Sequence, residues 1–243
     1  MSKSLLQRWF GRADDAPAPL LPQAQEAQEQ KSLGDVLLGQ GDHAGAEARY
    51  RAAIAAAPGF APAHTNLAYA LHRQGRSGDA AEALRRSHGL DEAQADAHYL
   101  SAALAVEALR PDDAERHYRR ALEIDPALEA ASLELGALLA QQGRLADAVT
   151  AVEHGLAQHP GSTQLHFYLG NLHHEQGQYE AAIAAFHKAE SGAPDSAALL
   201  NNLGLALIKL NDPARADETR AIHERLARLA PESAEAHNNL GLA

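Results

Sequence analysis

Histidine is the side chain most readily used for metal ligation or proton transfer near neutral pH, and this chain carries 14 of them among 243 residues. Their spacing argues against both uses. There is no His-Glu-x-x-His and no His-x-x-x-His pair, so no helix offers two imidazoles one turn apart on one face. His173 and His174 are adjacent and diverge around a helix. His64, His98, His166 and His237 instead recur at a common stride, 34 residues or its double with three residues added once. Recurrence of that kind points to packing. No phosphate-binding Gly-x-x-x-x-Gly-Lys, dinucleotide Gly-x-Gly-x-x-Gly or nucleophilic Gly-x-Ser-x-Gly occurs. Acidic neighbours such as Asp112 and Asp113 read as charges at a helix N-terminus, where the helix dipole favours them. No catalytic residue, no metal ligand and no cofactor is expected, and the chain reads as non-enzymatic.

The composition narrows the partners. With 21 basic and 32 acidic residues the formal charge is 21 − 32 = −11, the wrong sign for a nucleic-acid backbone. There is no cysteine, which removes disulfide frameworks and thiolate metal sites. Hydrophobic residues make up 46% of the chain but aromatics only 5%, and alanine dominates. Such a chain packs helices closely instead of filling one wide interior. No run approaches the roughly 18 apolar residues of a transmembrane helix. The first residues lack the apolar stretch of a secretory signal, so the expected location is the cytoplasm.

The elements that position these residues follow from an internal period of 34. Prolines recur at Pro58, Pro126, Pro160 and Pro194, with Glu92 in the same register. Alanine recurs at Ala46, Ala80, Ala114, Ala148, Ala182 and Ala216, and a small residue at Gly34, Ala68, Ala102, Gly136, Gly170 and Gly204. Gly41, Gly75, Gly143 and Gly177 fall seven residues after that second ladder. Each unit reads as two helices. The first carries Leu33 and Leu37 on one face and ends at a glycine free to take positive φ. The second carries Ala46, Tyr50, Ala53 and Ile54 and stops before the proline. The small residues are expected to let paired backbones approach, so that a leucine there would overpack the contact by about 1–3 kcal/mol.

The unit resembles a tetratricopeptide repeat. With the proline as position 32, the family places a large apolar residue at 7, a small one at 8, apolar at 11, small at 20, large at 24, small at 27 and proline at 32. Residues 163–196 supply Leu169, Gly170, His173, Ala182, Phe186, Ala189 and Pro194, and residues 27–60 supply Leu33, Gly34, Leu37, Ala46, Tyr50, Ala53 and Pro58. The resemblance implies an all-α, right-handed superhelical solenoid of helix-turn-helix repeats. Its units are 27–60, 61–94, 95–128, 129–162, 163–196, 197–233 and a partial 234–243, behind a tail of residues 1–26. The third unit departs, with Ser101 at position 7 and Leu109 at the glycine position, and is expected to turn through Arg110 and Pro111 instead. The sixth ends at Pro231, three residues late, and is expected to spend them on a longer second helix over about 213–230.

In this family positions 2, 5, 6, 9, 12 and 13 face a concave groove, which implies groove placement for Asn66, Tyr69, Tyr99, Phe167, Tyr168, Asn171, His174, Asn201, Asn202, Asn238 and Asn239. An asparagine amide can bond any peptide backbone, with one acceptor and two donors. Asparagines at position 6 do so in the repeat domain of O-linked N-acetylglucosamine transferases. Asn66, Asn202 and Asn239 match that position, while Ser32, Leu100, Glu134 and Tyr168 break the ladder, so the similarity is partial. The family's carboxylate clamp is rejected: Lys31 and Asn66 fit it, but Asp35 and Asp96 would repel a peptide C-terminus. The position-4 histidines lie on the side facing the second helix, as amphipathic spacers.

The first expectation is therefore an adaptor that binds a partner protein's peptide or helix in the groove. The alternative is the substrate-recruiting front of a larger enzyme such as a peptide glycosyltransferase, motivated by the asparagines and by a seventh unit that stops after one helix. A third is self-association through that last helix. In the tail, Leu5, Leu6, Trp9 and Phe10 lie at helical spacing among Lys3, Arg8 and Arg12, before a proline-rich linker over 16–22. A disordered tail is the first reading there and membrane contact through those four residues the second.

Overall fold

The computed structural model describes residues 22–229, and the calls on Leu5, Leu6, Trp9, Phe10, His237, Asn238 and Asn239 lie outside them. Twelve α-helices and one 3-10 turn account for the described residues: α1 Pro22–Gly39, α2 His43–Ala56, α3 Ala61–Arg73, α4 Ser77–Leu90, α5 Ala95–Glu107, α6 Pro111–Ile124, α7 Glu129–Gln141, α8 Leu145–Gln158, α9 Thr163–Glu175, α10 Tyr179–Glu190, α11 Ala197–Leu210, the 3-10 turn Pro213–Arg215, and α12 Ala216–Leu229. No strand is found among them. The fold is an all-α helical repeat solenoid, as the 34-residue stride predicts. It divides into two compact units, one up to Leu104 and one from Ala105, with the boundary inside α5. Among the described residues α1 is helical from Pro22 on, so residues 22–26 are part of it.

The hairpin turn is the most regular feature. Position 15 is left-handed in all six units: Gly41 (φ 81), Gly75 (φ 76), Leu109 (φ 55), Gly143 (φ 75), Gly177 (φ 72) and Asn211 (φ 53). The amide that follows reaches back to the last turn of the first helix, as from Asp42 to the Leu37 carbonyl (2.9 Å), Arg76 to Leu71 (3.0 Å), Arg110 to Ala105 (2.8 Å) and Arg144 to Leu139 (2.9 Å). The third unit therefore does not move its turn. Leu109 takes the glycine conformation itself, 89% exposed, and Pro111 is the first residue of α6.

The sixth unit also corrects the sequence reading. Its three extra residues form the 3-10 turn Pro213–Arg215, and α12 keeps the ordinary length of 14 residues. The register shifts accordingly. Ala216 is exposed, whereas Thr219 is buried in the position-20 slot and His223 in the position-24 slot.

Small residues at position 8 make room for a side chain more than for a backbone. A Cβ on Gly34 would lie 2.5 Å from Tyr50 Cε1, and one on Gly136 2.8 Å from Val152 Cγ2; Phe186 and His223 cover Gly170 and Gly204 in the same way. Tyr50, Phe186 and His223 are fully buried by this contact. Each cluster is built from such slots. In the first unit Tyr50, Leu67, Leu71, Leu84, Leu100 and Leu104 pack around alanines; in the second Ile183, Phe186, Leu199, Leu203, Ile222 and Leu226 do so.

The position-4 histidines have a specific task. Nε2 of His64 donates to the Pro58 carbonyl (3.1 Å), that of His98 to Glu92 (3.0 Å) and that of His166 to Pro160 (2.8 Å). Each ring thereby ties the start of a first helix to the position-32 carbonyl behind it, in the Nε2–H tautomer when neutral.

Candidate functional site

The candidate residues fall on the first helices, and each compact unit holds its own set. In the first, Asp35 of α1 is the centre. Its Oδ2 accepts from Lys31 Nζ (2.8 Å), and its Oδ1 accepts from Tyr50 Oη (2.9 Å) and from Asn66 Nδ2 of α3 (2.7 Å). Burial, and then the bond to Asp35, push the Tyr50 phenol well above its ordinary range, so it stays a donor. Asn66, half-buried, spends one donor on a neighbouring repeat. Tyr69 stands one helical turn further along α3 and is 38% exposed. Tyr99 is half-buried on α5, next to Leu100, which is buried although it occupies position 6.

In the second unit the same register recurs. Asn202 Nδ2 of α11 donates to Asn171 Oδ1 of α9 (2.8 Å), again position 6 to position 9 of the preceding repeat. The two asparagines make no other side-chain bond among the described residues, so both Asn171 N–H donors, the second Asn202 N–H and the Asn202 oxygen stay available. Tyr168, one turn before Asn171, lies half-buried with its ring edge 3.2 Å from where a Gly136 Cβ would stand. Burial, then Glu175 and Glu134, push its phenol upward. Asn201 is half-buried beside Asn202.

Two of the expected residues, both half-buried, also make packing contacts. The Phe167 ring lies 5.9 Å from Phe186 and joins the core of the second unit, and the His174 ring meets Tyr179 edge-on at 5.4 Å. Asp35 was missed as an organiser, although its spacing of four from Lys31 and its position-9 register were both readable. Its role depends on Tyr50 crossing from the second helix, which no spacing rule contains.

The opposite, second-helix side spends its charges on repeat joints. Glu47 accepts from Arg51, Gln74 and Arg76, and Glu115 from Arg119 and Arg144 at 2.9 and 2.6 Å. Arg144 holds the Glu115 carboxyl below its ordinary range. At Glu47 burial opposes ionisation, but the bonds from Gln74, Arg51 and Arg76 outweigh it.

A tetratricopeptide repeat model matches residues 32–98, 99–163, 133–197 and 169–218. No match is found among curated proteins. Among solved structures, PilF of Pseudomonas aeruginosa superposes with a TM-score of 0.77 at 20% identity, covering 92% of this chain and 100% of that one. PilW, described as a type IV pilus biogenesis factor, gives 0.71 at 22% identity, with 89% and 99% covered. YrrB, described as having an unusual peptide-binding site, gives 0.64 at 17% identity, with 78% and 96% covered. At these identities the likeness is one of fold. No helix among the described residues is long and apolar enough to cross a membrane.

Proposed function

The chain belongs to the tetratricopeptide repeat family, whose repeats build protein-interaction scaffolds, and from that premise we propose that it is a non-enzymatic adaptor holding an extended peptide segment on its first-helix face. The observation that carries this reading is the Asn171–Asn202 pair. The two amides fix each other at 2.8 Å across adjacent repeats and keep three N–H donors and the Asn202 oxygen for a third party. A peptide backbone supplies the complementary carbonyl and N–H whatever its side chains. Holding the amides in place beforehand reduces the ordering cost of binding. Asn66 is held likewise by Asp35 in the first unit. YrrB shares the fold and is described as binding peptide, which agrees with this use of the surface.

A random peptide array tests it. The full chain is expected to retain a subset of peptides, and Asn171→Ala with Asn202→Ala to lose them while the helical melting curve holds. Peptide binding unchanged in the double variant, or lost only together with the helical signal, would overturn the reading.

A further inference from the structure

The first helices of the second unit carry two acidic side chains that no cation neutralises. Glu47, Glu115 and Glu190 on the second helices are each held by arginine. Asp35 on α1 is paired with Lys31. Glu134 and Glu175 have no such neighbour: both are exposed, and neither makes a hydrogen bond or ion pair among the described residues. They flank Tyr168. Glu175 lies seven residues after Tyr168 on α9, two turns along the same face, and Glu134 holds the same position 6 one repeat earlier on α7. The Tyr168 ring reaches that repeat, since its edge covers Gly136, two residues after Glu134. Burial, and then the fields of Glu175 and Glu134, push the Tyr168 phenol upward, in keeping with that placement. Asn171, with its available donors, completes the stripe one turn from the ring.

A half-buried ring between two unpaired carboxylates is complementary to an organic cation. An ammonium or guanidinium gains attraction to the ring face and to both charges, whereas a carboxylate is repelled by both. We propose that this surface seats a lysine or arginine side chain of the bound peptide, Tyr168 under the cation and Glu134 and Glu175 beside it, so that the adaptor selects basic segments. The proposal rests on the peptide-binding reading above and adds the chemistry of the ligand. An acidic protein of charge −11 would also draw such a segment from a distance, with an attraction that salt screens.

The same peptide array separates the two ideas. The peptides retained by the full chain are expected to be enriched in lysine and arginine and depleted in aspartate and glutamate. Glu134→Gln with Glu175→Gln, both at exposed positions, is expected to weaken the basic peptides roughly five- to tenfold and leave neutral ones unchanged. Tyr168→Ala should weaken them similarly, and Tyr168→Phe, which keeps the ring face, should not. Retention without charge preference, or a double Gln variant that binds basic peptides as before, overturns the cation site while the groove reading stands. An array that retains no peptide overturns both.

Discussion

Asn66 donates to Asp35 across two repeats at 2.7 Å, and the same carboxylate oxygen receives the buried Tyr50 hydroxyl at 2.9 Å. One acidic side chain thus serves the first-helix surface and the core together. Replacing Asp35 by alanine strands a buried phenol and releases the amide, and leaving such groups unmatched costs about 1–3 kcal/mol. Urea unfolding of Asp35→Ala should show that loss. Tyr50→Phe in the same background should recover part of it, because the orphaned hydroxyl is gone. Additive losses in the double variant would show that the two groups are not coupled.

Glycines at position 8 are predicted to be intolerant for a side-chain reason. A methyl on Gly170 would run into the Phe186 ring, which is fully buried and has nowhere to go. Gly170→Ala should destabilise by about 1–3 kcal/mol. Gly78, inside α4 with nothing near its Cβ direction, is the control: Gly78→Ala should stabilise by about 0.5–1 kcal/mol by lowering unfolded-chain entropy. Thermal melts read both, and equal effects of one sign would refute the distinction.

Leu109 is the one turn residue that contradicts its conformation. It holds φ 55 with 89% of its surface in water, where the matching residue is glycine in four units and asparagine in the sixth. A branched side chain in the left-handed region costs roughly 1 kcal/mol, and glycine does not incur it. Leu109→Gly should therefore raise the midpoint of unfolding, against the usual direction for an added glycine. Leu109→Ala, which keeps a Cβ, should recover little.

The stride of 34, the two helices per unit and the glycine turns were all legible because each is a local requirement repeated six times. The exceptions fall where a local rule stands alone. By residue preference alone Leu109 is unfit for a turn, and the nearby Arg110 and Pro111 are better suited. Yet the amide after Leu109 closes on Ala105 as in the other repeats, and that closure overrides one residue's preference. Ala216 matched the count, but the Pro213–Arg215 turn absorbs three residues and hands its slot to Thr219. For the candidate site, position within the repeat puts Asn66, Asn171 and Asn202 on first helices, where the structure also has them. The repeat register does not show that Asn66 and Asn202 are each bonded to position 9 of the preceding repeat, because that contact joins residues 31 apart on separate helices.

His223 carries the last prediction. It fills the slot that Tyr50 and Phe186 occupy in other repeats, with its ring over Gly204 and no surface exposed. Neither ring nitrogen makes a well-formed hydrogen bond among the described residues, although the Gly204 backbone lies close to the ring. Burial pushes the imidazole below its ordinary value of 6.5, and the neighbouring Gly204 backbone offsets that only in part. The folded protein therefore refuses a proton that the unfolded chain accepts. Stability from this residue is complete above pH 6.5 and falls as the pH drops from there toward the depressed folded value. His223→Phe removes both the unmatched nitrogens and the titration. It should stabilise by roughly 1–2 kcal/mol near neutral pH, and by more as the solution is acidified. Chemical unfolding at pH 7.5 and again near pH 5.5 measures the two gaps. A constant difference between wild type and variant would mean that the buried ring takes up a proton as readily as the unfolded one, and that the slot is wetter than its burial shows.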